Sequence, residues 1–282
     1  MWKLFATAYP VEFRQISQYR SMKIEGPRLA MRDYLELVKS DSLKWQVVLN
    51  LATSFARVPE LVGISSIRNL AALEVATPRR AETTPADATE TPVTALSDRI
   101  IRSWSELAQT SGAFAHLRVL KLCHQDLSGV VLRYLRAFPS LQVIVAYGCP
   151  GIHSMVTDGL EIDGWESRPG QDKPPALYEL YQASLDGEPP VMDQGSPILD
   201  FQIGQTNQES KRVPTKAKTL YLNRTKAANR IPTENLALHI PAKRPKEEVS
   251  AAGEPQRRSG PKRAVMRDRK AKDLGEILGN FL

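Results

Sequence analysis

Cysteine is scarce in this chain. Cys123 and Cys149 are the two in 282 residues, which excludes a disulfide framework and fits a reducing compartment. Long apolar runs are missing as well. The opening MWKLFATAYP is cut by Lys3 and Pro10 and followed by Glu12 and Arg14, so it lacks the apolar core of roughly 7–15 residues that a signal peptide carries. No stretch approaches the roughly 20 apolar residues that span a bilayer. The expectation is an intracellular, soluble protein with no membrane partner. Catalytic signatures are also absent: the sequence contains no G-x-S-x-G, P-loop, G-x-G-x-x-G or H-E-x-x-H. Its four histidines, His116, His124, His153 and His239, show no partner pattern for nucleophilic or acid–base work. No enzymatic activity and no cofactor are expected. Net positive charge is missing from the first 204 residues, which carry 20 Lys and Arg against 23 Asp and Glu, whereas residues 205–282 carry 18 against 8. The overall +7 therefore belongs to a basic tail rather than to a basic domain.

What the chain does have is a leucine pattern at near-constant spacing. The order L-x-x-L-x-L reads Leu70, Leu73, Val75, recurs at Leu117, Leu120, Leu122 and again at Leu141, Ile144, Ala146, with a weaker copy at Gln46, Leu49, Leu51. Leu51 to Val75 is 24 residues, and so is Leu122 to Ala146. The longer interval from Val75 to Leu122 contains a polar stretch rich in Thr, Pro, Ala and Glu, residues 77–95. That stretch has too few large apolar side chains to offset its ordering entropy and reads as a disordered surface insertion. A period of 20–30 residues is that of a solenoid whose units pack on their neighbours.

Helical signals follow the strands. Ser97 stands before the stripe Ile100, Ile101, Trp104, Leu107, Ala108, and Ser128 before Val130, Val131, Tyr134, Leu135, Phe138; both read as capped helices with one buried face. The predicted fold class is α/β, a short solenoid of parallel strands and outer helices. Its expected organisation is a helical N-terminal cap (1–45), a repeat region (46–152), a capping segment (153–204), a disordered basic tail (205–272) and a short amphipathic helix (273–282). Within the cap, Tyr34, Leu35, Val38 and Leu43 are expected to cover the first repeat. Pro175–Leu185 reads as a short helix and Ile198–Ile203 as a strand.

The strand at Leu141, Ile144, Ala146 is followed by Cys149. This L-x-x-L-x-L-x-x-C spacing resembles the leucine-rich-repeat family, in particular the cysteine-containing repeats of F-box/leucine-rich-repeat proteins. The positions equivalent to Cys149 are Ser54, Pro78 and Gln125, of which Pro78 departs from the pattern. The resemblance covers about residues 46–152. It implies a curved array, an inward Cys or Asn that bonds neighbouring backbone, and work as a protein-binding scaffold. Its more specific version is a substrate receptor of a ubiquitin ligase. An F-box would precede the repeats. The residues before 46 leave no room for one, although Trp2, Leu4 and Phe5 could pack inward as the last helix of such a box.

Alternation along the strands assigns the outward, concave columns to Val48, Asn50, Ala52, then Ala72, Glu74, Ala76, then Val119, Lys121, Cys123, and finally Val143, Val145, Tyr147. Asn50, Glu74, Lys121, Val143, Val145 and Tyr147 are the candidate partner-binding residues. So apolar a face calls for a cover, either a peptide or the chain's own residues 190–204. Cys123, His124, Cys149 and His153 do not have the ligand spacing of a zinc site, and no metal is expected.

The tail carries two basic clusters. Lys243, Arg244 and Lys246 form one; Arg257, Arg258, Lys262, Arg263, Arg267, Arg269, Lys270 and Lys272 form the other. Such clusters read as nuclear-import signals or phosphate-contacting patches. No aromatic residue lies between Arg257 and Lys272, which argues against base stacking. Nuclear localisation is expected, with an import receptor as one partner and a weak nucleic-acid contact as the alternative role. Leu274, Ile277, Leu278, Phe281 and Leu282 fall on one helical face. Gly275 and Gly279 weaken that helix, so it is expected to fold on a partner or on the body of the protein.

Overall fold

The computed structural model describes residues 2–16, 18–77, 95–156, 161–170, 174–185, 196–204 and 218–225. Most of the expected insertion, both basic clusters and the terminal amphipathic segment lie outside the described residues. Within them the chain forms a mixed α/β structure around one open, nine-stranded, mostly parallel sheet. The strands are β1 (Tyr19–Ile24), β2 (Gln46–Ala52), β3 (Leu70–Ala76), β4 (Val119–Cys123), β5 (Val143–Tyr147), β6 (Glu161–Ile162), β7 (Trp165–Pro169), β8 (Ile198–Ile203) and β9 (Thr219–Arg224). They are ordered β1-β8-β2-β3-β4-β5-β9-β7-β6. From β1 to β5 every neighbouring pair is parallel, and β9, β7 and β6 are added antiparallel.

The leucine stations build the centre of this sheet. Leu49 pairs with Leu73 and Leu51 with Val75 across β2 and β3; Leu73 pairs with Leu120 and Val75 with Leu122, and these in turn meet Ile144 and Ala146. Because strand side chains alternate, all of them emerge on one face. There they meet the helices α3 (Met31–Val38), α4 (Val58–Gly63), α5 (Asp98–Ser111) and α6 (Val131–Leu135) in one continuous core. Three tryptophans of that layer have their indole N–H satisfied. Trp104 Nε1 donates to the Leu61 carbonyl at 3.0 Å, Trp165 Nε1 to Leu132 at 3.1 Å and Trp45 Nε1 to Val38 at 3.1 Å. Phe114 and Phe138 stack at 4.7 Å. Gly112 ends α5 in the left-handed region at φ 68°, a position that suits glycine.

Several expectations change. The parallel strands with helices packed on them are as expected, but a solenoid is not shown. β8 lies between β1 and β2 although it comes some 150 residues later in the chain than β2. The N-terminal region is not purely helical: after α1 (Trp2–Ala8) and α2 (Pro10–Ile16) it supplies β1, which pairs with β8. Trp2 and Phe5 do pack inward on Phe13, which meets Trp45 at 6.1 Å, but Leu4 is exposed. Of the four residues expected to cap the first repeat, Tyr34, Leu35 and Val38 are buried on α3. Residues 219–224, assigned to the disordered tail, form β9 beside β5. Leu220 and Leu222 enter the core, and the Arg224 guanidinium donates to the carbonyls of Phe138, Pro139, Leu141 and Arg136. These are carbonyls around the end of α6, where the chain has no intrahelical donors left. Ser97 stands at the N-cap of α5 without a capping side-chain bond. Ser128 does not cap α6; its hydroxyl and backbone N–H donate to Asp98.

Candidate interaction face

The opposite face of the same strands carries several transverse rows, one of them rich in polar side chains. Register places Lys23, Gln202, Asn50, Glu74, Lys121, Val145, Tyr221 and Arg168 side by side across β1, β8, β2, β3, β4, β5, β9 and β7. The alternation in the sequence therefore put Asn50, Glu74, Lys121, Val143, Val145 and Tyr147 on the right face. A cover was expected there as well, and the face is closed, but by a different segment from the one expected. Val145 is fully buried, Asn50 and Lys121 are 5% and 7% exposed, and Glu74 is 9% exposed. Val143 and Tyr147 are half-buried.

The cover is α8 (Leu177–Ala183), the helix that follows α7 (Pro150–Met155) in the chain. Its Leu177, Leu180 and Tyr181 pack on Val48, Ala71, Ala72, Val119 and Val145, in a cluster separate from the main core. Residues 190–204, the segment expected to lie across the face, do something else where they are described: 198–203 enter the sheet plane as β8. The helix read at Pro175–Leu185 is the true cover. Its apolar residues recur at i, i+3 and i+4, so they project as one stripe onto small and β-branched residues of the sheet.

Several polar groups under and beside α8 are paired. Lys121 Nζ lies 3.1 Å from Glu74 Oε2 and donates to the Pro175 carbonyl at 3.0 Å. Burial makes this pair indispensable to itself: removing either partner would leave an uncompensated charge in the interior. Asp200, 4% exposed, accepts from Tyr19 Oη at 3.0 Å, Ser21 Oγ at 3.2 Å, Gln202 Nε2 at 3.1 Å and Asn50 Nδ2 at 3.3 Å. One carboxylate thus ties β1, β8 and β2 together. The Tyr19 hydroxyl is pushed above its usual range by burial and by that carboxylate.

The thiols are poorly suited to nucleophilic work, which requires the thiolate. Burial, followed by the charge of Glu74, pushes Cys123 far above its usual range; its Sγ sits 3.6 Å from Glu74 Oε1. Burial pushes Cys149 up to about 11. Cys149 Sγ donates toward the carbonyls of Leu122 at 3.5 Å and Tyr147 at 3.6 Å, and His153 Nδ1 is 2.7 Å from the Cys149 carbonyl. Among the described residues no group of three or more His, Cys, Asp or Glu could hold a metal ion. No helix among them is long and apolar enough to cross a membrane.

At the C-terminal ends of the strands a second polar column runs across the sheet. Thr53 and Thr77 hydroxyls meet at 3.0 Å; Gln125 Nε2 donates to Thr77 Oγ1, the Val75 carbonyl and the Cys123 carbonyl, and its Oε1 accepts from Leu96 N–H. Cys149 continues the column. Gln125 belongs to this column, and Thr53 rather than Ser54 joins it after β2; Pro78 lies outside the described residues. Gly148, at φ 63°, lets the backbone pass this column: a Cβ there would lie 2.4 Å from His124 Nδ1. Asp200, Arg118 and Arg224 were also missed, since their partners lie far away in the chain.

A scan against protein-family models matches none of them, and a search of curated proteins gives no match.

Proposed function

We propose that this chain is a non-catalytic protein-binding scaffold of the leucine-rich-repeat type, working in the nucleus. The observation that carries the reading is the order β2-β3-β4-β5, consecutive in the chain, adjacent and parallel in space. Its returning helices α4, α5 and α6 all lie on one face, and a Thr–Thr–Gln–Cys column closes the strand ends. On the other face Asn50, Glu74 and Lys121 are buried, so recognition there falls to the half-buried Tyr147 at the strand end. A ubiquitin-ligase substrate receptor is the narrower form of this reading and requires an F-box supplied together with this region. Nuclear import through Arg257, Arg258, Lys262 and Arg263 completes it. A fluorescent fusion whose location is unchanged when those four are replaced removes the import step.

The test is a binary titration of the purified chain with the protein it captures most strongly, with and without residues 273–282. A saturable isotherm weakened at least tenfold by Tyr147→Glu supports the scaffold. The alternative is a nucleic-acid-associated factor using the tail, favoured by the excess of ten positive charges in residues 205–282. It predicts binding to DNA or RNA with a steep log–log salt slope, insensitive to Tyr147→Glu and lost when residues 243–272 are deleted.

A further inference from the structure

The two ends of the sheet are finished differently. At one end the outermost strand, β6, has two residues and turns back into β7 through Asp163 and Gly164, both at positive φ. At the other end β1 runs for six residues without proline or glycine. Among the described residues β8 is its one strand neighbour. We propose that the outer edge of β1 receives an extended, acidic segment of a partner protein, which adds to the sheet as a further strand. The proposal goes beyond the reading above and does not depend on it, because β1 lies outside the β2–β5 ladder.

Three observations carry it. First, the edge offers main-chain groups in a regular row. The Gln18 carbonyl accepts from the Ile198 N–H and the Ile24 carbonyl from the Gly204 N–H. Main-chain direction alternates along a paired strand. Arg20 and Met22 therefore also turn their amides and carbonyls to β8, whereas those of Tyr19, Ser21 and Lys23 turn away from the sheet. An extended peptide is the ligand that pairs with such a row. Second, the strand is exposed and yet fixed. Tyr19 is 46% and Met22 37% exposed, and Arg20 and Ser21 are exposed as well. The Tyr19 and Ser21 hydroxyls nevertheless donate to the buried Asp200, and the Arg20 guanidinium lies 6.0 Å from the centre of the Trp2 ring. The template thus stands ready before a ligand arrives, which lowers the ordering cost of binding. Third, the edge carries one cation on each face. Arg20 shares the leucine face with Met22, while Lys23 is on the inner face, 3.1 Å from the exposed Glu25 just past the strand. A peptide strand with acidic residues three apart places one on each face and so opposes both cations, an arrangement that stabilises a strand pair. An apolar residue between them, on the Arg20 side, lies against Met22. A second copy of β1 would instead bring two more cations to the same ribbon, and such charges are how natural edges resist self-pairing.

The test pans a phage-displayed library of random decapeptides against the full chain and measures the enriched peptide by fluorescence polarisation. That peptide is expected to carry acidic residues three apart around an apolar one. Ser21→Pro removes an outward N–H without removing a bond to β8 and is expected to weaken binding at least tenfold. Ser21→Ala, which loses the same hydroxyl, is expected to stay within threefold of the parent. On the unaltered chain, N-methylation of the peptide's amides one at a time is expected to weaken binding at every second residue and to leave the residues between unchanged; this readout needs no variant to fold. An N-methylation profile without alternation overturns the proposal, as does a folded Ser21→Pro that binds like the parent. So does a library that enriches basic peptides or none. A dimer in sedimentation velocity that Ser21→Pro dissociates also overturns it, because the edge then belongs to a second copy. Binding lost in Tyr147→Glu and kept in Ser21→Pro overturns the edge and leaves the scaffold reading intact. The alternating profile, when no partner sensitive to Tyr147→Glu is found, sustains the edge and removes the inner-face reading.

Discussion

The two faces of β2–β5 are made by the same strands and are held in different ways. One face meets several helices, with Leu49, Leu51, Leu73, Leu120, Leu122 and Ile144 all fully buried. The other, the inner face, lies opposite the leucines; it meets one seven-residue helix over Val48, Ala72, Val119 and Val145 and keeps a buried Glu–Lys pair among them. Burial alone does not distinguish them. What differs is redundancy: side chains on the helical face are enclosed by many elements, whereas those on the inner face depend on one stripe and a few charge-assisted bonds. A structure built this way resists change on one side and is conditional on the other.

Trp104→Ala breaks the comparison hardest. It removes a fully buried ring against Phe114 and the indole donor to the Leu61 carbonyl, which keeps the Ile64 N–H. The expected loss is about 3–5 kcal/mol in urea unfolding. On the inner face Glu74→Leu strands Lys121 and is expected to cost about 3–5 kcal/mol. Glu74→Leu/Lys121→Met is expected to return to within about 1 kcal/mol of the parent, since apolar replacements of a buried pair are often neutral. A double variant no better than the single would mean that the pair does not carry its own cost.

Alkaline pH acts on the strand-end column. The Cys149 thiol is held at about 11 by burial against the ordinary 9.0. Below pH 9 both states keep the proton and the group leaves stability unchanged. Between about pH 9 and 11 the unfolded chain ionises first, so stability falls by about 1.4 kcal/mol per pH unit from this group. Urea titrations of Cys149→Ala across that range are expected to show a correspondingly shallower decline. The smallest expected effect is at the sheet's other end. Arg224→Ala removes the donor shared by four carbonyls, for about 1–2 kcal/mol and an earlier thermal midpoint.

The strands of the centre were legible because their apolar stations repeat locally: Leu49, Leu73, Leu120 and Ile144 each lie at the same place in their unit. So was the inner-face assignment of Asn50, Glu74 and Lys121, which follows from alternation alone. The cover was half legible. The stripe at Leu177, Leu180 and Tyr181 reads as a helix, but nothing local says that it lies on Val48 and Val119 while Ile198–Ile203 goes into the sheet. β9 was hidden for a different reason: Leu220, Leu222 and Arg224 sit in a basic stretch whose composition reads as solvated. Their docking depends on β5 and the end of α6, some 80 residues earlier. Pairings across such distances are set by shape and leave no period in the sequence.

Native-state hydrogen exchange across a denaturant series tests most directly whether the two faces are held separately. The amides of α8, residues 177–183, are expected to exchange through a partial opening at least a hundredfold faster than those of Leu120 and Leu122, with a weaker dependence on denaturant. Identical protection and identical denaturant dependence for α8 and β4 would contradict it, and would make the inner helix one cooperative unit with the core.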